Sequence, residues 1–230
     1  MKTFLFDLDG TILELNWEVF EKLYYGGLAK YFAHLIEKDK IIPYIYASYQ
    51  YMVSVTDDRL NKEKFYDKLT EISGVDRQVL MDNEPIYYIE QYDNLQSVTT
   101  VVEEMVESVR ILKAKGYPLI IASQPAFPAI ATRKRISWTG LSEDDFLKVT
   151  NFENSYASKP SIEYYQQLLD EFNLKPQDCI MVGNNRQEDM MITELGVEGI
   201  LITDYLIDSD DEYPCKEMSA TEFLAYVKEL

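Results

Sequence analysis

Two aspartates, Asp7 and Asp9, directly follow a short apolar segment and precede Gly10 and Thr11. The apolar segment Thr3–Phe6 predicts a buried strand, and ligands of open parallel sheets bind beyond the carboxyl ends of the strands. Two carboxylates at i and i+2 can converge there, because Gly10 permits the backbone to turn. Such a pair can bind a hard cation, or act as nucleophile and general acid/base. The alternative, a polar turn that caps a helix, is disfavoured by the complete D-x-D-G-T pattern.

Other apolar segments predict further strands of the same sheet. The predicted strands are Thr3–Phe6, Pro118–Ala122, Phe146–Val149, Cys179–Val182 and Ile200–Ile202. Most are apolar at nearly every position, as expected when helices cover both faces of a sheet. Helical periodicity predicts helices at Val101–Lys115, Ser161–Phe172, Met190–Leu195 and Thr221–Leu230. Strands that alternate with helices predict an α/β fold with a doubly wound, parallel, Rossmann-like sheet.

The stretch Leu13–Ser97 interrupts this alternation. It contains helical patterns and no convincing strand, and it is dense in aromatic residues. We interpret it as a helical insertion after the first strand, which divides the chain into a core domain (1–13 and 98–230) and a helical domain (14–97). Most of its tyrosine rings are expected to pack the helices together, with one or two reaching a cleft.

The charge balance excludes several classes of partner. The 230 residues include 22 Lys and Arg against 40 Asp and Glu, for a formal net charge of −18. Such a surface repels phosphate backbones and anionic lipids, so neither a nucleic acid nor a membrane is an expected partner. The sequence contains no run of about eighteen apolar residues, which is the length that a helix needs to span a bilayer. The two cysteines, Cys179 and Cys215, are too few for a disulfide framework, which favours a reduced, cytoplasmic protein.

Other residues that could do chemistry have simpler interpretations. His34 is the only histidine, so a Ser-His-Asp triad is excluded. The basic run Arg133–Arg135 falls on a probable helix, and a solvated helix face is favoured over a site that attracts an anionic substrate. Cys179 lies in a predicted buried strand and is expected to behave as a small apolar residue.

The pattern Asp7-x-Asp9-x-Thr11 resembles the first motif of the haloacid dehalogenase-like hydrolase superfamily. The resemblance implies that Asp7 attacks phosphorus to form an aspartyl phosphate, and that Asp9 protonates the leaving group and then activates water. It also implies that Mg²⁺ is held by the side chain of Asp7 and the backbone carbonyl of Asp9. True haloacid dehalogenases lack the second acid, so Asp9 favours phosphoryl transfer over dehalogenation.

Two later segments follow the motif order of the same superfamily. Ser123 ends the second predicted core strand and resembles the residue that hydrogen-bonds the phosphoryl oxygens, and Gln124 beside it is placed in the same phosphate site. Lys159, before Pro160, resembles the third motif. Its ammonium group would neutralise the phosphate and the crowded carboxylates. With Thr11, these residues form the expected phosphate-binding set.

The fourth motif departs from the family pattern. Asn184 stands where the superfamily usually has an acid, and Asp189 fits the position of the second acid. An amide oxygen can ligate Mg²⁺, but it supplies a dipole in place of a full charge. We therefore expect a functional but weaker cation site formed by Asp7, Asp9, Asn184 and Asp189.

The resemblance implies a Mg²⁺-dependent phosphatase that acts on a small phosphorylated metabolite. The helical insertion is similar to the cap of the type-one members of the superfamily, which closes over small substrates. A monomer or a weak homodimer is expected. A phosphomutase would use the same residues, and an impaired protein that only binds a phosphate ligand or a protein partner is the other alternative, because the fourth motif is neutral at Asn184.

Overall fold

The computed structural model describes all 230 residues, and a six-stranded parallel sheet lies at its centre. The strands are β1 (Thr3–Phe6), β2 (Leu13–Leu15), β3 (Thr99–Val101), β4 (Leu119–Ile121), β5 (Lys148–Val149), β6 (Cys179–Gly183), β7 (Glu198–Ile202) and β8 (Cys215–Met218). The helices are α1 (Trp17–Tyr31), α2 (Lys38–Ser54), α3 (Asn61–Ser73), α4 (Arg77–Glu90), α5 (Glu103–Ala114), α6 (Ala129–Trp138), α7 (Ile162–Glu171), α8 (Arg186–Met190) and α9 (Ala220–Glu229).

The strand order is β5-β4-β1-β6-β7-β8, and every neighbouring pair is parallel. The chain adds β4 and β5 on one side of β1 and then returns to add β6 on the other side. The carboxyl end of β1 therefore lies at a topological switch point, where open α/β sheets bind their ligands. The predicted doubly wound parallel sheet is confirmed.

The two faces of the sheet bury separate apolar clusters. Phe4 and Phe6 pack with residues of α5 and α9, whereas Leu5 packs with residues of α7 and α8. The alternation follows from the two-residue period of a strand. All three side chains are fully buried, and burial of each such side chain contributes roughly 1.5–3 kcal/mol. Cys179 is also fully buried, as predicted.

An antiparallel pair of strands closes the base of the helical insertion. Leu13 pairs with Val101 and Leu15 pairs with Thr99. The expectation that Leu13–Ser97 contains no strand is therefore wrong at β2. This strand has only three residues, and its partner lies beyond the whole insertion, so no local pattern indicates the pairing. The division into two domains stays a prediction.

Two other elements differ from the sequence-based expectations. The edge strand β8 was not predicted, because its exposed residues lack the apolar character of a buried strand. The helix expected at Met190–Leu195 instead begins at Arg186 and continues as a 3₁₀ segment over Met191–Leu195. The Asn185 side chain accepts a hydrogen bond from the Glu188 backbone N–H (3.0 Å), and this cap sets the earlier start. None of the helices combines the length and the apolar character that a membrane-spanning segment needs.

Candidate active site

The carboxyl ends of three neighbouring strands bring the candidate residues together. Asp7 directly follows β1, Ser123 lies two residues after β4, and Asn184 directly follows β6. The Asp7 backbone N–H donates to the Val182 carbonyl (2.9 Å), which continues the β1–β6 pairing into the site. Parallel strands end at the same edge of a sheet, so this placement follows from the strand order.

Lys159 lies between two carboxylates. Its Nζ is 2.8 Å from Asp7 Oδ1 and 2.5 Å from Asp189 Oδ1, and its side chain has no solvent exposure. Burial would lower the pKa of Lys159, but the charges of Asp189 and Asp7 outweigh it and hold this pKa well above its ordinary value. The lysine is therefore a permanent positive charge that joins the first and fourth motifs.

Gln124 positions the backbone of Lys159. Its Nε2 donates to the Lys159 carbonyl (3.0 Å), and its Oε1 accepts from the Lys159 N–H (3.1 Å). Because both ends of the amide are engaged, we interpret Gln124 as a positioning residue, in place of the phosphate contact expected from the sequence. Ser123 differs from Gln124, because only its backbone is held in place. Its carbonyl accepts hydrogen bonds from Thr150 Oγ1 and Tyr164 Oη (both 2.8 Å), and its side-chain hydroxyl makes no hydrogen bond within the protein.

Asp7 lies in a site that disfavours its charge. Burial raises the pKa of Asp7 to about 8, the charge of Lys159 opposes this shift, and the charge of Asp189 adds to it. The remaining oxygen of Asp7, Oδ2, lies 3.5 Å from the Thr11 hydroxyl. A cation bound beside this oxygen would stabilise the ionised carboxylate.

Asn184 is oriented by a backbone acceptor. Its Nδ2 lies 2.6 Å from the Tyr205 carbonyl, which can only accept, so the amide must present N–H there. Its Oδ1 consequently faces Thr11 Oγ1, at 3.2 Å. Gly10 (φ +91°) makes room for this side chain, since a Cβ at position 10 would lie 2.3 Å from Asn184 Nδ2. The glycine of the first motif thus permits both the turn and the approach of Asn184.

Asp189 has both carboxylate oxygens engaged. Oδ1 contacts Lys159, and Oδ2 accepts from the Asn185 backbone N–H at 2.9 Å. A Cβ on Gly183 would lie 2.2 Å from Oδ2, so only glycine leaves room for this carboxylate. Both oxygens of Asp189 are thus held by protein donors, one of which is the Lys159 ammonium.

The donor atoms at this edge fit a hard divalent cation. Asp7 Oδ2 and Asn184 Oδ1 both lie close to the Thr11 hydroxyl, and both are oxygen ligands of the kind that Mg²⁺ prefers. Three carboxylates, those of Asp7, Asp9 and Asp189, face only two buried cations in this region. No group of three or more acidic, histidine or cysteine side chains forms a ready metal cluster in the protein. The residues thus fit a cation that takes a mixed set of ligands and keeps several waters.

Arg135, on α6, is the residue that the sequence interpretation missed. Its side chain is about 1% exposed, and its Nε lies 3.1 Å from Asp9 Oδ1, an ionic contact without hydrogen-bond alignment. Its Nη1 donates to the Tyr92 hydroxyl (2.6 Å), and its guanidinium carbon lies 4.3 Å from the centre of the Phe127 ring. Burial raises the pKa of Asp9, and the charge of Arg135 opposes that shift.

The expected solvated face is therefore wrong at Arg135. Arg133 is exposed and Lys134 half-buried, as a surface helix predicts. Arg135 lies one helical turn after the buried Ala131 and three residues after the buried Thr132, so it shares their face. This spacing was the available signal, and the three consecutive basic residues concealed it.

A cavity of about 340 Å³ separates the acids from the helical insertion. On the core side it is lined by Asp7, Asp9, Ser123, Gln124, Asn184, Asn185, Glu188 and Asp189, among others. On the insertion side lies an aromatic wall, formed by Trp17, Phe20, Tyr24, Tyr25, Tyr46, Tyr49, Phe65 and Tyr88. The expectation that only one or two tyrosine rings of the insertion reach the cleft is wrong, since five tyrosines line the cavity. The ring centres of Tyr24 and Tyr25 on α1 lie 5.3 Å apart, and both residues line the cavity.

Comparison with known proteins assigns the family. Residues 1–194 match the sequence model of the haloacid dehalogenase-like hydrolases. This chain belongs to the haloacid dehalogenase-like hydrolase family. The matched region contains all four of the motifs described above, from Asp7 to Asp189.

Relatives of this haloacid dehalogenase-like hydrolase include phosphatases. The pyrophosphatase PpaX of Bacillus cereus is 24% identical over 188 residues, which are 82% of this chain and 76% of that protein. A haloacid dehalogenase-like phosphatase from Thermococcus onnurineus superposes with a TM-score of 0.64 at 19% identity, covering 99% of this chain and 98% of that one. A predicted phosphoglycolate phosphatase from Haemophilus somnus gives 0.59 at 15% identity, covering 98% and 97%. The structural likenesses establish the shared fold.

The family predicted from the motifs is confirmed, and so is its Rossmann-like core. The chain is a hydrolase of a family that includes phosphatases, as the sequence indicated. The roles of individual side chains in this haloacid dehalogenase-like hydrolase stay predictions and belong to the proposal below.

Proposed function

We propose that this hydrolase is a Mg²⁺-dependent phosphatase that cleaves a small phosphate monoester through an aspartyl phosphate on Asp7. One observation carries the proposal: the buried Lys159 ammonium contacts both Asp7 and Asp189, whose carboxylates line the cavity together with Asp9. A fixed positive charge beside a carboxylate nucleophile is the arrangement that stabilises a transferring phosphoryl group.

The reaction divides into two displacements at phosphorus. In the first, a carboxylate oxygen of Asp7 attacks phosphorus, the bond from phosphorus to the alcohol oxygen breaks, and Asp9 gives its proton to that oxygen. In the second, the Asp9 carboxylate takes a proton from water, and the water oxygen attacks the same phosphorus. The acyl phosphate bond then breaks, which releases inorganic phosphate and restores Asp7 as a carboxylate and Asp9 as an acid.

Other residues hold the phosphoryl group and the acid in place. The Thr11 and Ser123 hydroxyls are donors for the phosphoryl oxygens, and Lys159 neutralises their charge. Arg135 holds Asp9, and it keeps the pKa of Asp9 from rising further in a buried site. Asp9 must be protonated in the first step and ionised in the second, so a compensated charge serves both steps.

The charge of the cavity supports a requirement for Mg²⁺. Its walls include the carboxylates of Asp7, Asp9 and Asp189 and no lysine, arginine or histidine. A phosphate dianion would be repelled there unless a cation entered with it. Asp7, the Asp9 carbonyl and Asn184 would hold the ion, with Asp189 acting through water. Bound Mg²⁺ would supply charge neutralisation to the phosphoryl oxygens and to Asp7.

The helical insertion would serve as a cap over the reacting atoms. It supplies one side of the cavity, and its base is the short antiparallel pair of β2 and β3. A cap that closes over the substrate keeps bulk water away from the aspartyl phosphate. The core of residues 1–13 and 98–230 would then carry the chemistry, and residues 14–97 would select the substrate.

The Bacillus relatives are named pyrophosphatases, but the cavity of this protein favours a phosphate monoester as the substrate. Pyrophosphate would place a second phosphoryl group against the insertion, whose contribution to the wall contains no cation. A phosphomutase would use the same acids and return the phosphoryl group to the substrate in place of water. Release of inorganic phosphate from a monoester distinguishes hydrolysis from that reaction.

Hydrolysis of 4-nitrophenyl phosphate by the whole protein tests the proposal. We expect turnover with Mg²⁺ that is abolished by a chelator and by Asp7→Asn. Asp9→Asn should retain a first burst of nitrophenol and accumulate a phosphorylated enzyme, visible by intact mass, because this leaving group needs little protonation. Asp144→Asn changes an exposed carboxylate in the 3₁₀ segment Glu143–Asp145, and this matched control should retain full activity.

Binding of phosphate esters without turnover, over several divalent metals, would contradict the proposal. That result would favour the alternative in which the protein only binds a phosphate ligand.

A further inference from the structure

The helical insertion contributes two carboxylates to the cavity wall, Glu21 from α1 and Glu84 from α4, together with the aromatic wall. No lysine, arginine or histidine side chain lines the cavity. We propose that the alcohol part of the substrate carries an organic cation, such as a protonated amine or a quaternary ammonium group. This inference rests on the proposed phosphatase function and names its substrate class.

The cations near the site are already committed to core carboxylates. Lys159 lies between Asp7 and Asp189. Arg135 contacts Asp9 and the Tyr92 hydroxyl, and neither cation lines the cavity. A substrate with a second anionic group would therefore bring that group toward carboxylates without a compensating charge. Inorganic pyrophosphate and phosphorylated carboxylic acids fit this wall poorly.

Glu84 in particular lacks a strong cationic partner. Its side chain is half-buried, and the one lysine whose charge acts on it is Lys62. Lys62 does not line the cavity, and its Nζ lies 3.9 Å from Oε1 of another carboxylate, Glu153. Burial raises the pKa of Glu84 to about 7, and the nearby Tyr66 hydroxyl only partly opposes this shift. A ligand cation in the cavity would provide the missing positive charge.

The aromatic wall completes a cation site. Ring faces attract ammonium groups through their quadrupoles, and several rings around a carboxylate form a common recognition site for quaternary ammonium ligands. The hydroxyls of Tyr24 and Tyr88 are hydrogen-bonded to each other at 2.7 Å, so one of the two is already committed as a donor. Rings and carboxylates thus act in the same direction, toward a positive ligand.

Three phosphate monoesters of similar size test the charge preference. Phosphocholine carries a quaternary ammonium group, 3,3-dimethylbutyl phosphate is its neutral carbon analogue, and 2-phosphoglycolate carries a carboxylate. We expect kcat/KM to fall in that order, with at least roughly tenfold between the first two. Inorganic pyrophosphate should be no better than 2-phosphoglycolate.

Variants assign the preference to the insertion. Glu84→Gln and Glu21→Gln should each narrow the ratio of kcat/KM between phosphocholine and the neutral analogue by roughly threefold or more. Glu90→Gln, an exposed residue of the same helix as Glu84, is the control and should leave the ratio unchanged.

The outcomes separate this inference from the phosphatase function. If all three esters are hydrolysed with Mg²⁺ at equal kcat/KM, or the carboxylate ester is best, the cation site is refuted and the phosphatase function stands. If none is hydrolysed, the proposed function fails. Calorimetric binding of phosphocholine against 3,3-dimethylbutyl phosphate then still decides the charge preference, and equal affinities would overturn it.

Discussion

Asp9 and Arg135 form a buried ion pair whose energetic coupling can be measured without any assay of catalysis. The perturbations are Asp9→Asn, Arg135→Met and the two combined. Each single change leaves one charge in a buried site without its partner, whereas the double change removes both charges. A double-mutant cycle therefore isolates the pair.

The expected magnitude follows from the burial of both groups. The Arg135 side chain is about 1% exposed and that of Asp9 is 12% exposed, with the charged atoms 3.1 Å apart. Removing one partner of a buried pair costs about 3–5 kcal/mol. We expect Arg135→Met to lie near the lower end, because Lys159 also lowers the pKa of Asp9 and so compensates part of its charge. Asp9→Asn should cost less, because the Tyr92 hydroxyl still accepts a hydrogen bond from Arg135.

The assay is chemical denaturation of the four proteins, followed by circular dichroism in buffer with a chelator so that no metal binds. The coupling energy between the two changes should be about 2 kcal/mol or more, with the double variant more stable than the sum of the single changes predicts. Arg133→Met is the matched control. Its exposed contact with Glu143 should contribute less than about 1 kcal/mol.

Additive single costs, within about 0.5 kcal/mol, would refute the pairing of Arg135 with Asp9. A cost for Arg135→Met no larger than that for Arg133→Met would contradict the burial argument as well.

Three further predictions concern the cavity and the cation site. Burial raises the pKa of Glu84 from 4.5 to about 7, so the folded state holds a proton that the unfolded state releases between these pH values. The free energy of unfolding of the wild type should therefore fall as pH rises through this window. That of Glu84→Gln should not, so the variant should become more stable relative to the wild type by up to about 3 kcal/mol. Asn184→Asp should lower the Mg²⁺ concentration that gives half-maximal activity, because the ion gains a full charge. It should also cost about 1–3 kcal/mol of stability, since a carboxylate cannot donate to the Tyr205 carbonyl. Gln124→Ala should lower kcat by roughly tenfold or more, because the backbone of Lys159 loses both amide contacts.

Each of these has an outcome that would contradict it. A stability difference for Glu84→Gln that is constant between pH 4.5 and 7 would show that this carboxyl is not shifted. An unchanged or increased Mg²⁺ requirement in Asn184→Asp would show that the amide does not limit the cation site. A Gln124→Ala variant with full kcat would show that contacts other than those of Gln124 hold Lys159 in position.

The acids of the first motif were predictable because their position depends on local sequence. An apolar run followed by D-x-D-G-T ends a buried strand, and the order of strands places that end at the switch point of the sheet. Lys159 and Asp189 were predicted from the resemblance to the family's motif order, and their contacts with each other and with Asp7 are set by the folded chain.

Contacts between distant segments were not predictable from local pattern. The three residues of β2 pair with β3 across the entire helical insertion, and only the folded chain brings them into register. Arg135 has the same character, because the charge it neutralises lies far away in the sequence, on the loop after β1. A basic residue in a charged run ordinarily remains solvated, and here a partner on another element outweighs that tendency.

The sequence by itself determined the α/β class, the apolar strands and the acids at their ends, because strand and helix periods are written in neighbouring residues. Tertiary structure alone decided that Asn184 presents an oxygen to the site, that Arg135 is buried against Asp9, and that tyrosines and glutamates of the insertion face a shared cavity. Those properties arise where side chains from separate elements meet, and their burial and charge balance exist only after the elements have packed together.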